Sequence, residues 1–168
     1  MTDLQLWDKG LRSIEKLLAD IPESTREQFA ELLAAYRLEK EALAAIVRQV
    51  DAETICRECA GKCCLNGKYR INILDLLALC AANTQLSPDF GQKPLCPYGT
   101  THGCSLEPGF RPADCILFLC DALDGQLSIA AGSTLAVSEK SLRDLMRKAT
   151  QLLGVPVAVP LLLWAEKI

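Results

Sequence analysis

The sequence contains no hydrophobic run long enough to cross a membrane. Its longest apolar stretch, residues 155–165, includes Pro156 and Pro160, whereas a membrane-spanning helix needs about 20 consecutive apolar residues. The N-terminal residues also lack the basic segment and the apolar stretch of a secretory signal. We therefore expect a cytoplasmic protein that has no membrane-bound segment.

An excess of positive charge is absent too. The 168 residues include 18 lysines and arginines against 21 aspartates and glutamates, which gives a formal net charge of -3. Domains that bind nucleic acid are usually basic, and proteins that bind anionic membrane surfaces carry clusters of lysine and arginine. The charge balance therefore argues against a general nucleic-acid binder and against a membrane-surface protein.

Signatures of the common catalytic sites are missing as well. The sequence has no evident set of serine, histidine and aspartate, no phosphate-binding glycine loop, no dinucleotide-binding glycine motif and no recognisable site for S-adenosylmethionine. Asp75 and Asp114 lie in apolar or cysteine-rich segments, but neither has an evident partner, and Asp75 is placed near the start of a predicted helix. Catalytic residues thus stay unassigned, and the sequence leaves open whether the protein is an enzyme.

Cysteine is abundant but confined to one block. All nine cysteines fall within residues 56–120, and the flanking segments contain none. Structural disulfides are rare in the reducing cytoplasm, whereas a Cys-x2-Cys pair such as Cys56 and Cys59 allows two thiolates to reach one metal ion. The block is therefore predicted to bind metal rather than to form disulfides.

Eight of the nine cysteines form the predicted set of metal ligands. Cys63 and Cys64 are adjacent, and because neighbouring side chains diverge, we expect them to serve different sites. The set suits two four-thiolate zinc sites, one iron–sulfur cluster with one zinc ion, or one cluster with spare thiols. Its members are Cys56, Cys59, Cys63, Cys64, Cys96, Cys104, Cys115 and Cys120.

Three other residues of the block need an interpretation. Cys80 lies in an apolar, helix-forming run and is predicted to be a core thiol rather than a ligand. His102, the single histidine, could complete a site with three cysteines, but a loop histidine is the simpler interpretation because eight thiols are available. Arg111, which precedes Pro112, is predicted to fix the loop by a hydrogen bond to a carbonyl or a thiolate.

The second half of the block, residues 93–115, is rich in proline and glycine, which predicts turns with little regular structure. An irregular stretch of this length is uncommon unless something ties it down, and cysteines occur near its start, middle and end. Cations of the block could neutralise thiolate charge or form an ordinary solvated surface. They are Arg57, Lys62, Lys68, Arg70, Lys93 and Arg111.

Four short motifs follow one another between Cys56 and Cys120. They are Cys-x2-Cys-x3-Cys-Cys, Leu-Cys-Pro-Tyr, Gly-Cys-Ser-Leu, and Arg-Pro-x2-Cys followed by a last cysteine. This order resembles the zinc- or iron-chelating CxxCxxCC family, whose cysteine-rich region also occurs in flagellin lysine methylases. The resemblance implies metal or iron–sulfur binding at the eight matching cysteines and, for most members, no known reaction. Ile116 and Leu119 depart from the arginine and the proline usual in that family, but no candidate ligand is lost.

The flanks of the block are predicted to be helical. An apolar stripe with spacings of three and four predicts one amphipathic helix near the N-terminus, and apolar residues spaced by seven predict a second helix from about Ser24 to Asp51. A short turn between them predicts an antiparallel hairpin. The first stripe is Leu4, Trp7, Leu11, Ile14, Leu18 and Ile21; the second is Phe29, Tyr36, Leu43 and Val50.

The second stripe is interrupted by Glu39 and Lys40, which favours ordinary core packing over a dimer interface, although a homodimer through these helices stays open. After the block, Ser138 is predicted to start a helix that ends before Gly154. The expected fold is mainly α, with an N-terminal antiparallel helical hairpin and further helices around an irregular, cysteine-rich metal-binding segment. Its expected segments are residues 1–55, 56–120 and 121–168, packed as one domain.

The sequence thus supports a metal-binding protein that holds zinc or an iron–sulfur centre. One alternative is an iron–sulfur enzyme related to flagellin lysine methylases, or a redox protein. A second alternative is a zinc-stabilised module that binds a protein partner. Zinc and iron are nearly equal on sequence grounds, with a slight preference for zinc.

Overall fold

The computed structural model describes residues 1–59, 62–65, 67–92, 95–100 and 103–168, and for Glu53 and Cys63 it describes the backbone only. The mainly α fold and the N-terminal helix pair are confirmed. In order, the α-helices of the described residues are α1 (Asp3–Ala19), α2 (Glu23–Arg48), α3 (Ala52–Glu58), α4 (Ile73–Ala81), α5 (Ala113–Leu117), α6 (Asp121–Asp124), α7 (Ile129–Leu153) and α8 (Leu161–Ala165).

The cysteine-rich block adds short elements between α3 and α5. Two strands, β1 (Gly99–Thr100) and β2 (Gly103–Cys104), pair antiparallel, with Gly99 opposite Cys104. Single turns of 3-10 helix occupy Lys62–Cys64, Gly67–Tyr69, Phe90–Gln92 and Pro108–Phe110. No helix in the described part of the chain is long and apolar enough to span a membrane.

Helix α1 begins at a capping box. The Thr2 hydroxyl accepts a hydrogen bond from Gln5 N, and the Gln5 side chain accepts one from Thr2 N. The predicted stripe is correct at Trp7 and Ile14, which are buried, but Leu4 is 54% exposed and Leu6 is buried instead. The buried face is therefore centred slightly away from the predicted one, and it packs on α4 and α8.

Helix α2 buries the heptad-spaced residues Phe29, Tyr36 and Leu43 within the chain. It packs along α7 and against the turn Pro108–Phe110 of the cysteine-rich block. The prediction that Lys40 interrupts the buried stripe is wrong, because its side chain is fully buried. A cation on the inner face is tolerated only where charged or polar partners surround it, and these partners lie in α4 and in the cysteine-rich block.

Helix α4 forms the centre of the core, with seven consecutive buried residues from Ile73 to Leu79. Asn72 caps it, since its side-chain oxygen accepts a hydrogen bond from Asp75 N at 2.8 Å. The chain before α8 is held to this helix start by backbone hydrogen bonds, among them Ile73 N to the Val159 oxygen at 3.2 Å. One hydrophobic cluster joins residues from both flanks and from the cysteine-rich block.

Helix α7 begins ten residues earlier than predicted. Ser128, not Ser138, is its N-cap and accepts a hydrogen bond from Ala131 N at 3.1 Å, while Ser138 is buried inside the helix. Both serines are competent caps, and nothing local to the sequence separates them. The predicted stop is confirmed, since Gly154 adopts a left-handed φ of 67° immediately after the helix.

Candidate metal centre

The candidate ligands occupy short elements and their ends. Cys56 lies in α3 and Cys59 is its C-cap; Cys64 ends a 3-10 turn. Cys104 lies in β2, Cys115 in α5, and Cys120 is the N-cap of α6. The eight cysteines whose side chains the structure describes are thiols rather than disulfides, which leaves them available as ligands. His102 and the side chain of Cys63 lie outside the described residues.

The turn that begins at Cys96 is the best-defined part of this centre. Gly99 N donates to the Cys96 backbone oxygen at 2.9 Å, and Gly99 then pairs with Cys104 across the two-stranded hairpin. Ser105 closes the same hairpin, because its backbone N–H and its hydroxyl both donate to the Tyr98 oxygen. Two candidate ligands, Cys96 and Cys104, are thereby fixed on one small hairpin.

Aromatic packing anchors this turn to the helical core. Tyr98 is only 3% exposed, and its ring lies 6.0 Å from that of Trp7 in α1. Trp7 also contacts Phe90 edge-on, with the ring centroids 6.3 Å apart. Such contacts favour tilted or edge-to-face geometry. The Cys96 turn is therefore held by α1 as well as by its own hydrogen bonds.

A glycine lets the segment after Cys64 pack directly on Cys96. A Cβ atom at Gly67 would lie 2.5 Å from both Cβ and Sγ of Cys96, far closer than van der Waals contact permits. Only glycine can occupy this position without displacing the thiol. The backbone after Cys64 therefore lies against Cys96.

The thiols of Cys96 and Cys115 are both affected by the nearby Cys104. Burial raises the pKa of the Cys96 thiol, and Cys104 raises it further. The pKa of Cys115 is raised first by the protein packed around it and then by Cys104 and Cys96, although its side chain still reaches solvent. Burial is the larger cause for both thiols, and repulsion from neighbouring thiolates is a smaller cause that they share and that a bound metal cation would reverse.

Two features favour the ionised form of Cys96 even before a metal is considered. The backbone N–H groups of Tyr98 and Gly99 lower the pKa of its thiol, and the guanidinium of Arg70 acts in the same direction. Arg70 lies over the ring of Phe118 at 5.5 Å, between the Cys96 turn and the segment that carries the last two cysteines. Backbone donors and a cation around a sulfur are typical surroundings of a metal-bound thiolate.

The first cysteine group, Cys56 to Cys64, lies next to the second group, Cys96 to Cys120. Helix α3, which carries Cys56 and ends at Cys59, contacts β2 with Cys104 and also contacts α6, which Cys120 precedes. The Cys59 thiol donates to the Cys56 backbone oxygen at 3.3 Å. Candidate ligands from three separate segments are thus gathered on one side of the molecule.

The gathered thiols do not yet form a coordination sphere. Among the described residues, no three cysteine, histidine, aspartate or glutamate side chains are arranged to hold a metal ion. The backbone elements bring the predicted ligands into one region, whereas their sulfurs would still have to converge. Such a centre would complete its geometry only as the metal binds.

Asp75, considered above as a catalytic carboxylate, has a structural partner that sequence reasoning missed. It is fully buried and pairs with Lys40 Nζ at 2.9 Å, and Tyr36 Oη donates to the same carboxylate oxygen at 2.9 Å. Burial and the Asp75 charge raise the pKa of Tyr36 well above its usual value. The available signal was a lysine four residues after a buried tyrosine on one face of α2.

One other interpretation is confirmed. Arg111 fixes the loop as predicted, because its Nε donates to the Leu106 backbone oxygen at 3.2 Å. Cys80 lies in α4, is half-buried against the core, and has a pKa raised mainly by burial; its exclusion from the ligand set stays a prediction.

Comparison with family models, with curated proteins and with solved structures gives no match for this chain. The resemblance to the CxxCxxCC family therefore stays a prediction.

Proposed function

We propose that this chain is a metal-binding protein whose cysteine block holds zinc through thiolates. The observation that carries the proposal is the hairpin with Cys96 and Cys104, together with Cys115, whose thiol is within electrostatic reach of both. Two thiols on one hairpin and a third whose pKa both of them raise would supply three of the four ligands of a tetrahedral thiolate site. The resemblance of the cysteine motifs to a metal-chelating family supports the same conclusion.

The fourth ligand of this site is expected from the first cysteine group. Helix α3 contacts the strand that carries Cys104, so Cys56 or Cys59 is the nearest source on that side. The remaining thiols, with Cys120 on the neighbouring α6, would supply a second site. Four thiolates leave a Zn²⁺ site with excess negative charge, which Arg70 is placed to offset.

Zinc in this position would be structural. It would link the hairpin, the α5 segment and α3, three pieces of chain that are short and largely irregular. Because thiols lose their protons when they bind zinc, metal binding and the ordering of this block are one linked process. The same donor set can hold an iron–sulfur cluster, which is the alternative identity of the bound metal.

Substituting Cys104 tests the site directly. Cys104→Ser removes a ligand from the hairpin, and we expect the affinity for zinc to fall by at least about tenfold. Loss of a residue that only supports a ligand commonly lowers metal affinity by that factor, so loss of the ligand itself should cost no less. Zinc content after dialysis against a weak chelator measures the loss. The matched control is Cys80→Ser in α4, which should keep the full metal content. Equal metal content in both variants would refute the assignment of Cys104.

A further inference from the structure

A buried ion pair connects the helical core to the loop between two candidate ligands. Lys40 Nζ lies 2.9 Å from Asp75 Oδ1 and also donates to the backbone oxygen of Arg111 at 2.9 Å. Both charged side chains are fully buried. Asp75 is held in turn by Tyr36 Oη and by the backbone N–H of Asn72. The ammonium group therefore joins α2 and α4 to one carbonyl of the cysteine-rich block.

Neighbouring residues of α2 hold the same loop. The guanidinium of Arg37 lies 4.2 Å from the centre of the Phe110 ring, a favourable cation–π distance. At Gly109 the loop approaches α2 so closely that a Cβ atom would lie 2.6 Å from Glu41 Oε1. Three residues of α2, Arg37, Lys40 and Glu41, thus contact the loop, and the Lys40 side chain among them is fully buried.

The loop residues that contact α2, Gly109 to Arg111, lie between Cys104 and Cys115. Arg111 receives the Lys40 hydrogen bond on its carbonyl and uses its own side chain to hold the Leu106 carbonyl at 3.2 Å. Leu106 is two residues after Cys104, and Cys115 is four residues after Arg111. A displacement of the Arg111 carbonyl would therefore be transmitted to both thiols.

We infer that Lys40 and Asp75 are a positioning pair for the metal centre, which holds the Arg111 carbonyl so that Cys104 and Cys115 stay where zinc can be bound. This inference rests on the proposed function. A well-packed apolar pair of similar volume often stabilises a core as well as a buried ion pair does, but it could not donate to the Arg111 carbonyl. Substitution of residues that hold metal ligands in place without binding the metal typically lowers metal affinity by about 10–100-fold.

The test removes both charges together. Lys40→Met/Asp75→Asn leaves no unpaired charge in the core, and the asparagine oxygen can still accept from the backbone N–H of Asn72 while its amide NH2 donates to the Tyr36 hydroxyl. With Zn²⁺ as the probe, competition against a chromophoric chelator should show about 10–100-fold weaker binding, at unchanged helical circular dichroism. Absorption of the Co²⁺-substituted protein should change as well, because it reports the geometry of the thiolates.

The matched control is Arg147→Met, which removes a cation from the exposed pair with Asp144 on α7 and should leave zinc affinity at the wild-type value. Where the double variant fails to fold, Arg111→Met tests the same loop: it removes the hydrogen bond to the Leu106 carbonyl, leaves the buried pair intact and should show a smaller loss of affinity. If the folded double variant binds zinc as tightly as the wild-type protein, the positioning role is wrong and the proposed function is unaffected. No zinc or cobalt binding by the wild-type protein overturns the proposed function and this inference with it.

Discussion

Replacement of Lys40 alone by methionine is expected to lower the free energy of unfolding by about 3–5 kcal/mol, the usual cost of removing one partner from a buried ion pair. The methionine has nearly the same length, so little volume is lost. What remains is the Asp75 carboxylate without its cation, together with an Arg111 carbonyl that has lost a donor. Urea unfolding followed by circular dichroism measures the difference in free energy.

The double variant Lys40→Met/Asp75→Asn provides the control for this prediction. It removes the unpaired carboxylate, so most of the lost stability should return even though zinc affinity does not. A surface pair behaves differently: Arg147→Met should cost at most about 1 kcal/mol, because Arg147 and Asp144 are exposed. A Lys40→Met loss as small as that of Arg147→Met would contradict the account of the buried pair.

Gly67→Ala is expected to destabilise the protein by about 1–3 kcal/mol, the typical cost of forcing an extra methyl group into a packed site. The new methyl group would meet Cβ and Sγ of Cys96 at 2.5 Å, so zinc affinity should fall as well. Gly67 does not have a left-handed backbone, and the steric clash alone accounts for the effect. Denaturant unfolding and chelator competition on the same sample measure both consequences.

Gly132→Ala in α7 is the matched substitution. No atom lies within 4 Å of the Cβ position there, and alanine favours the helix interior over glycine by about 1 kcal/mol. This variant should therefore be slightly more stable than wild type and should bind zinc equally well. If Gly67→Ala behaved like Gly132→Ala, the close packing of Gly67 on Cys96 would be wrong.

Features that depend on nearby residues could be predicted from the sequence. The cap of α1 at Thr2 and the stop of α7 at Gly154 follow from residues within one helical turn. The buried positions of α2 follow from the spacing of its apolar side chains. The start of α7 could not be predicted, since Ser128 and Ser138 are equally good caps and only the surrounding structure distinguishes them.

Contacts between distant segments were beyond the sequence. Lys40 and Asp75 are 35 residues apart, and each is ordinarily an exposed residue type, so the position of Lys40 on the same face of α2 as Tyr36 does not identify its partner. The candidate ligands could be named because cysteine is concentrated in one block. Which of these cysteines lie close together could not be predicted, because it depends on how α3 packs against the hairpin that carries Cys104.

Elemental analysis with a visible spectrum, on protein purified without oxygen, tests the central claim most directly. If the cysteine block binds zinc, we expect a colourless protein with about one to two zinc ions per chain, each held by four thiolates. About four iron atoms with absorption near 400 nm would keep the thiolate site but replace zinc with a cluster. A folded protein with no stoichiometric metal and reactive cysteines throughout the block would contradict the account.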